Sequence, residues 1–262
     1  MEERIDFKFW LVFSVMVIVM LVVLAALPAE AQERNASMYD VYSTGQEIGR
    51  NPTAFMSIGD SNTYTSSHLK EMYVDRTEEI PTHLMYTFFD FEESFRRWGY
   101  TASAGWTTEH VLQHGEFPLH MYSPPESSPL IAEIEEHNPA FAFIAIGSND
   151  VRELDVEEYR ENVQFIVDTL LSNGVIPVIF TIPPQPLYKD VVAEFNLALI
   201  GVASRTDVHF INLHRLLCDK FDDCGLNDDG LHLSEEAHEY WNMIVLDTLA
   251  SLQAKYTYGE DY

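Results

Sequence analysis

Residues Phe141-Ala142-Phe143-Ile144-Ala145-Ile146 are apolar without a break, and the run stops at Gly147-Ser148-Asn149-Asp150. A run of this kind suits a strand buried on both faces, which is the situation of a central strand in a parallel sheet. The same pattern recurs at Phe55-Met56-Ser57-Ile58, cut short by Gly59-Asp60-Ser61-Asn62-Thr63. Val175 to Thr181, closed by Pro183-Pro184, and Val208 to Leu213 read as further strands, and Gly99 to Ala104 as a short one. Helical signals lie between them. Pro129 to His137 suggests one helix. Val156, Tyr159, Val163, Ile166, Val167 and Leu170 recur at helical spacing, with Asn173-Gly174 as the stop. Residues 188–204 read as a third. A last helix starts near Ser234, where Glu235 and Glu236 favour its positive end, and Ala237, Tyr240, Trp241, Ile244, Val245, Leu249 and Leu252 give it one apolar face. Strands alternating with helices imply a three-layer α/β/α sandwich around a five-stranded parallel sheet, whose ligands bind at the carboxyl edge. No second domain or internal repeat is visible.

The flanking segments read differently. Arg4 and Lys8 precede an uncharged stretch from Phe9 to Pro28, followed by Ala29-Glu30-Ala31. The small-x-small ending fits a signal-peptidase site with the mature chain beginning at Gln32, whereas the apolar length fits a retained membrane anchor, since ~20 apolar residues span a bilayer. Residues 1–31 are therefore expected to be a signal peptide or an anchor, and either places the domain outside the cytoplasm. Residues 32–50 are polar and read as a linker, 51–256 as the domain and 257–262 as a tail. Asn35-Ala36-Ser37 matches a glycosylation acceptor. Ser66 to Tyr73 suggests a short helix, and the prolines between 115 and 129 an irregular loop. A formal net charge of −27 excludes phosphate-driven binding to nucleic acid and docking of the domain on an anionic membrane. Membrane contact is expected only through the N-terminal segment. Cys218 and Cys224 are the only cysteines; export makes a local disulfide the natural reading, with two buried thiols as the alternative.

Chemistry collects at the strand ends. Ser61 stands on a turn after an apolar strand, close to backbone N–H groups, and Gly-Asp-Ser could equally be a structural turn. Gly105 lies between the short strand and a helix capped by Thr107 or Thr108, where its N–H can point outward. Asp229-Gly230-Leu231-His232 precedes the last helix. An Asp three residues before a His on a loop can take the Nδ1–H and leave Nε2 free to accept a proton from a hydroxyl. His238, by contrast, reads as a helix-surface residue. Ser148 is the rival nucleophile.

Taken in order, Gly59-Asp60-Ser61, Ser103-Ala104-Gly105-Trp106-Thr107, Gly147-Ser148-Asn149-Asp150 and Asp229-Gly230-Leu231-His232 resemble the four sequence blocks of the SGNH, or GDSL, hydrolases. The resemblance covers roughly residues 51–254. It implies a flavodoxin-like fold, Ser61 as nucleophile, His232 as base, Asp229 as its partner, and an oxyanion hole from the N–H groups of Ser61 and Gly105 and the side chain of Asn149. It implies a serine esterase that works through an acyl-enzyme, with no metal or organic cofactor, on a small-molecule, lipid or glycan ester. Acyl transfer to a sugar hydroxyl, or a binding protein of the same fold, are the alternatives. Asn62 stands where the family name has leucine, a position read as loose. The absence of any Gly-x-Ser-x-Gly disfavours a nucleophile-elbow hydrolase.

Overall fold

The structure, a computed structural model, describes residues 37–65, 68–69, 80–118 and 126–259. Four strands are found among these residues: β1 (Asn51–Gly59), β2 (Pro139–Ala145), β3 (Ile176–Phe180) and β4 (His209–Ile211). They pair in chain order and all in parallel. The main helices are α1 (Met38–Glu47), α2 (Pro129–His137), α3 (Val156–Ser172), α4 (Lys189–Thr206), α5 (Leu213–Lys220) and α6 (Glu235–Leu252). The parallel α/β/α reading of the sequence is thus the observed architecture.

Period-two alternation explains how the apolar runs are divided between the layers. Phe141 and Phe143 point to one face, where Phe141 stacks on Tyr42 of α1 and Phe143 meets Phe55 and Phe180. Phe180 in turn contacts Trp241 of α6 edge to face, at 5.7 Å. On the other side α3 packs against β3 and against α4, with Tyr159 stacked on Phe195 at 4.7 Å. β2 is buried along nearly its whole length, as its unbroken apolar composition requires. Gly147 ends this run at φ +139°, and a Cβ there would lie 2.5 Å from Ile182 and 2.8 Å from the Tyr159 hydroxyl. Only glycine lets the chain leave the strand so close to α3.

The stretch from Gly99 to Ala104 does not form a fifth strand. Ala102 makes a single parallel bridge to Gly59. The Thr101 hydroxyl donates to the Ser57 carbonyl at 2.8 Å, occupying an oxygen that a longer strand would have paired with a backbone N–H. The Gly59 N–H donates to the Thr101 carbonyl at 3.0 Å, and the chain then turns away at Gly105.

Two boundaries move. The linker expected over 32–50 contains α1, which buries Met38, Val41, Tyr42 and Gly45. Those four recur at steps of three and one, so polar residues fill only the outer face. Arg50 donates to the carbonyls of Asn173 (2.8 Å) and Ile134 (3.0 Å) and to Asn138 Oδ1 (2.8 Å), tying the exit of α1 to the ends of α2 and α3. The tail expected from 257 begins inside a π-helical turn, Gln253–Tyr258, and the Tyr42 hydroxyl lies 2.9 Å from Thr257 Oγ1. The domain therefore starts at Met38 and includes this turn. The signal or anchor segment at 1–31, Asn35 of the glycosylation acceptor, most of the helix expected at Ser66–Tyr73 and residues 119–125 of the proline-rich loop lie outside the described residues. Among the described residues no helix is long and apolar enough to cross a membrane.

The corrected boundary is testable at Gly45. A Cβ there would sit 2.2 Å from the Gly174 carbonyl oxygen, a backbone atom that no rotamer change can move aside. Gly45→Ala should destabilise the protein by about 1–3 kcal/mol, lowering Tm by roughly 2–4 °C for each of those kcal/mol. A melting curve identical to wild type would return residues 38–50 to the status of linker.

Candidate active site

Parallel pairing in register brings the ends of β1 and β2 side by side, with Gly59 opposite Ala145. The next residues of each strand are joined by Asp60. Its Oδ2 accepts the Ser148 N–H at 3.1 Å and its Oδ1 the Asn62 N–H at 3.0 Å, while its carbonyl accepts from Thr63 and Tyr64. Asp60 is buried, and burial raises its pKa against the lowering effect of those hydrogen bonds. Ser61 sits on the turn so formed. Ser148, the rival nucleophile, is buried at 3% exposure with its carbonyl bound by Gln185.

Ser61 Oγ lies 2.9 Å from His232 Nε2, and His232 Nδ1 lies 2.7 Å from Asp229 Oδ2. A carboxylate only accepts, so Nδ1 carries the proton and Nε2 is left to receive the serine O–H. Asp229 Oδ1 accepts the N–H groups of Leu231 and His232, both at 2.9 Å, which folds the four-residue loop around the carboxylate. The His232 side chain and these N–H donors hold the Asp229 pKa down at about 2. The carboxylate is therefore ionised at neutral pH and well into the acid range.

Gly105 follows the Ala102 bridge at φ +80°. Neither its N–H nor that of Ser61 has an acceptor among the described residues. Thr107 caps the short helix Thr108–Leu112, its N–H donating to His110 Nδ1 at 3.1 Å. Asn149 Nδ2 donates to the Trp106 carbonyl at 2.9 Å, and Asn149 Oδ1 accepts from the Arg152 guanidinium. Carbonyl and guanidinium settle which end of the amide is which, leaving Nδ2 with a second hydrogen. Arg152 was not singled out by sequence; an arginine three residues along a short helix carries no motif. Beside Ser61 and His232 opens a pocket of about 500 Å³, lined also by Tyr64, Ala104, Asn227 and Glu235.

Two further residues behind the site were given no part in it by the sequence. His238, expected on the helix surface, is 4% exposed, with Nε2 3.0 Å from the Asn62 carbonyl and Nδ1 3.0 Å from that of Ser234. Asp150 is fully buried and accepts from both the N–H (2.9 Å) and the hydroxyl (2.6 Å) of Thr108, joining the Asn149 turn to the helix after Gly105. Its second oxygen has no partner among the described residues. Cys218, on α5, and Cys224 are joined by a disulfide just upstream of the Asp229 loop.

Burial drives the Asp150 pKa up to about 6, against the Thr108 hydrogen bonds. A carboxyl whose pKa is raised on folding holds a proton that the unfolded chain has released, so stability falls as pH rises between about 4 and 6. Asp150→Asn should flatten this part of the profile. Urea midpoints at pH 4 and pH 6 check it: wild type should lose more stability across the interval than the variant, and equal losses would remove Asp150 as the source.

Residues 57–240 match the model of the GDSL-like lipase/acylhydrolase family. No curated protein sequence matches the chain. Among solved structures the fold is similar to that of TesA, at 18% identity and a TM-score of 0.55, covering 76% of this chain and 99% of that one. It is similar also to the lipase/acylhydrolase from Enterococcus faecalis (17% identity, TM-score 0.52, 75% and 94% covered). A third is a GDSL-like lipase from Bacteroides thetaiotaomicron (14% identity, TM-score 0.50, 84% and 98% covered). At these identities the structural likeness speaks for the fold, while the family match, over more than half of the sequence, makes this chain a member of the GDSL-like lipase/acylhydrolase family and an enzyme of ester hydrolysis.

Proposed function

We propose that the protein is an exported serine esterase in which Ser61 is the nucleophile, His232 the general base and Asp229 the residue that orients the imidazole. The observation that carries this reading is the unbroken chain from Ser61 Oγ through His232 to Asp229, at 2.9 and 2.7 Å. Ser61 Oγ adds to the ester carbonyl as its proton passes to Nε2, and the ionised Asp229 stabilises the imidazolium. The N–H groups of Ser61 and Gly105 and the Asn149 amide receive the oxyanion. Collapse breaks the ester C–O bond, and the leaving alcohol takes the proton back from Nε2. Water then repeats the sequence on the acyl-enzyme to release the acid. The substrate is a small-molecule, lipid or glycan ester. Export is supported by the apolar stretch from Phe9 to Pro28 and by the Cys218–Cys224 disulfide, a bond at home in oxidising compartments.

Ser61→Ala and His232→Ala should each lower kcat on p-nitrophenyl acetate by several orders of magnitude without loss of fold, because the members act as a unit. Asn149→Ala should lower kcat by roughly 10²–10³-fold with a smaller effect on KM. Near-normal turnover by Ser61→Ala would refute the assignment, and a change in KM alone would make Asn149 a binding residue instead.

A further inference from the structure

Asn62 has every polar group engaged, at the seam between the Ser61 turn and the His232 loop. It is 2% exposed. Its N–H donates to Asp60 Oδ1 at 3.0 Å, and its carbonyl faces His238 Nε2 at 3.0 Å. Its side-chain amide reaches 169 and 171 residues along the chain: Nδ2 donates to the Leu231 carbonyl at 3.3 Å, and Oδ1 accepts the Leu233 N–H at 2.9 Å. One amide thus bridges the peptide groups on both sides of His232.

The loop needs such a tie. Burial of the neighbouring Leu233 anchors the backbone, but the His232 and Asp229 side chains are 41% and 50% exposed, so burial does not hold them. Asp229 folds the loop on itself, as does Asn227, whose N–H donates to the His232 carbonyl at 2.8 Å and whose amide donates to the Leu233 carbonyl at 3.1 Å. These bonds fix the shape of the loop and say nothing of its distance from Ser61. The Ser61–His232 hydrogen bond cannot set that distance through the reaction either, because its proton is the one transferred. The Asn62 amide is not consumed by the chemistry. An apolar side chain at this position would leave the Leu233 N–H unpaired beside a residue that is 2% exposed.

We propose that Asn62 is a positioning residue: its side-chain amide, braced by His238 at its own carbonyl, sets His232 against Ser61. The proposal rests on the reading of those two residues as base and nucleophile. Small misplacements of a catalytic group are costly to rate.

The test uses the full chain with Asn62→Leu and Asn62→Asp, assayed on p-nitrophenyl acetate beside Ser61→Ala. Asn62→Leu should lower kcat roughly 10–100-fold with KM within about twofold of wild type. Asn62→Asp, which keeps the acceptor for Leu233 and loses the donor to Leu231, should fall between the two. The downfield proton resonance of His232 Nδ1–H, assigned by its loss in Asp229→Ala, should persist in both variants, because the loop keeps its own bonds. A kcat within about twofold of wild type in Asn62→Leu while Ser61→Ala is inactive would overturn this proposal alone. So would a change in KM only, or loss of the resonance together with activity, which marks collapse of the loop. Should Asn62→Leu not fold, the same criteria apply to Asn62→Asp. Retained activity in Ser61→Ala would overturn the underlying reading and this proposal with it.

Discussion

The parallel pairing of β1 with β2 is the constraint on which the site depends. Their register runs from Phe55 against Phe141 to Gly59 against Ala145. A slip of one residue would turn every buried phenylalanine to the wrong face, so the apolar residues of both strands hold the register against slippage. With that fixed, Asp60 and Ser148 have to meet, and their hydrogen bond joins the two strand ends into one platform. Ser61 and Asn149 are the next residues out on either side. The proposed nucleophile and one proposed oxyanion donor are thus placed by the core itself. Asp150 extends the platform to Thr108 and so to the turn that carries Gly105.

The proposed base arrives by another route. His232 lies on a polar, half-exposed loop of which only Leu233 is buried in the core. What holds it is a set of hydrogen bonds: Asp229 within the loop, Asn227 behind it and Asn62 from the nucleophile turn. Buried acids at the centre of the platform are the cost of this arrangement, since Asp60 and Asp150 are both removed from water and their ionisation is disfavoured. In exchange each makes hydrogen bonds between segments far apart in sequence, with a directionality that packing alone does not supply.

Much of this was legible in the sequence, for identifiable reasons. β2 and β3 announce themselves because burial on both faces leaves no polar residue to blur the run. Asp229 and His232 could be paired because a three-residue step on a loop is a local geometry. What was missed depends on contacts across long separations. α1 hides its apolar side behind a polar majority and a glycine, Gly45, that serves close packing rather than a turn. Gly99 to Ala104 has a strand's composition, yet a threonine hydroxyl takes the place of a ladder bond. His238 faces inward because the Asn62 carbonyl is there to meet it, and Asn62 looked replaceable until both ends of its amide were seen to have partners.

The proposed mechanism requires that these segments converge to make Ser61, and no other hydroxyl, nucleophilic. Covalent labelling reads this out at the residue itself. Protein treated with diethyl p-nitrophenyl phosphate and digested should carry one diethylphosphoryl group, located by peptide mass spectrometry on Ser61, and His232→Ala should react far more slowly. A group mapped to Ser148 or to another residue, or labelling of Ser61 that proceeds equally fast without His232, would contradict the account.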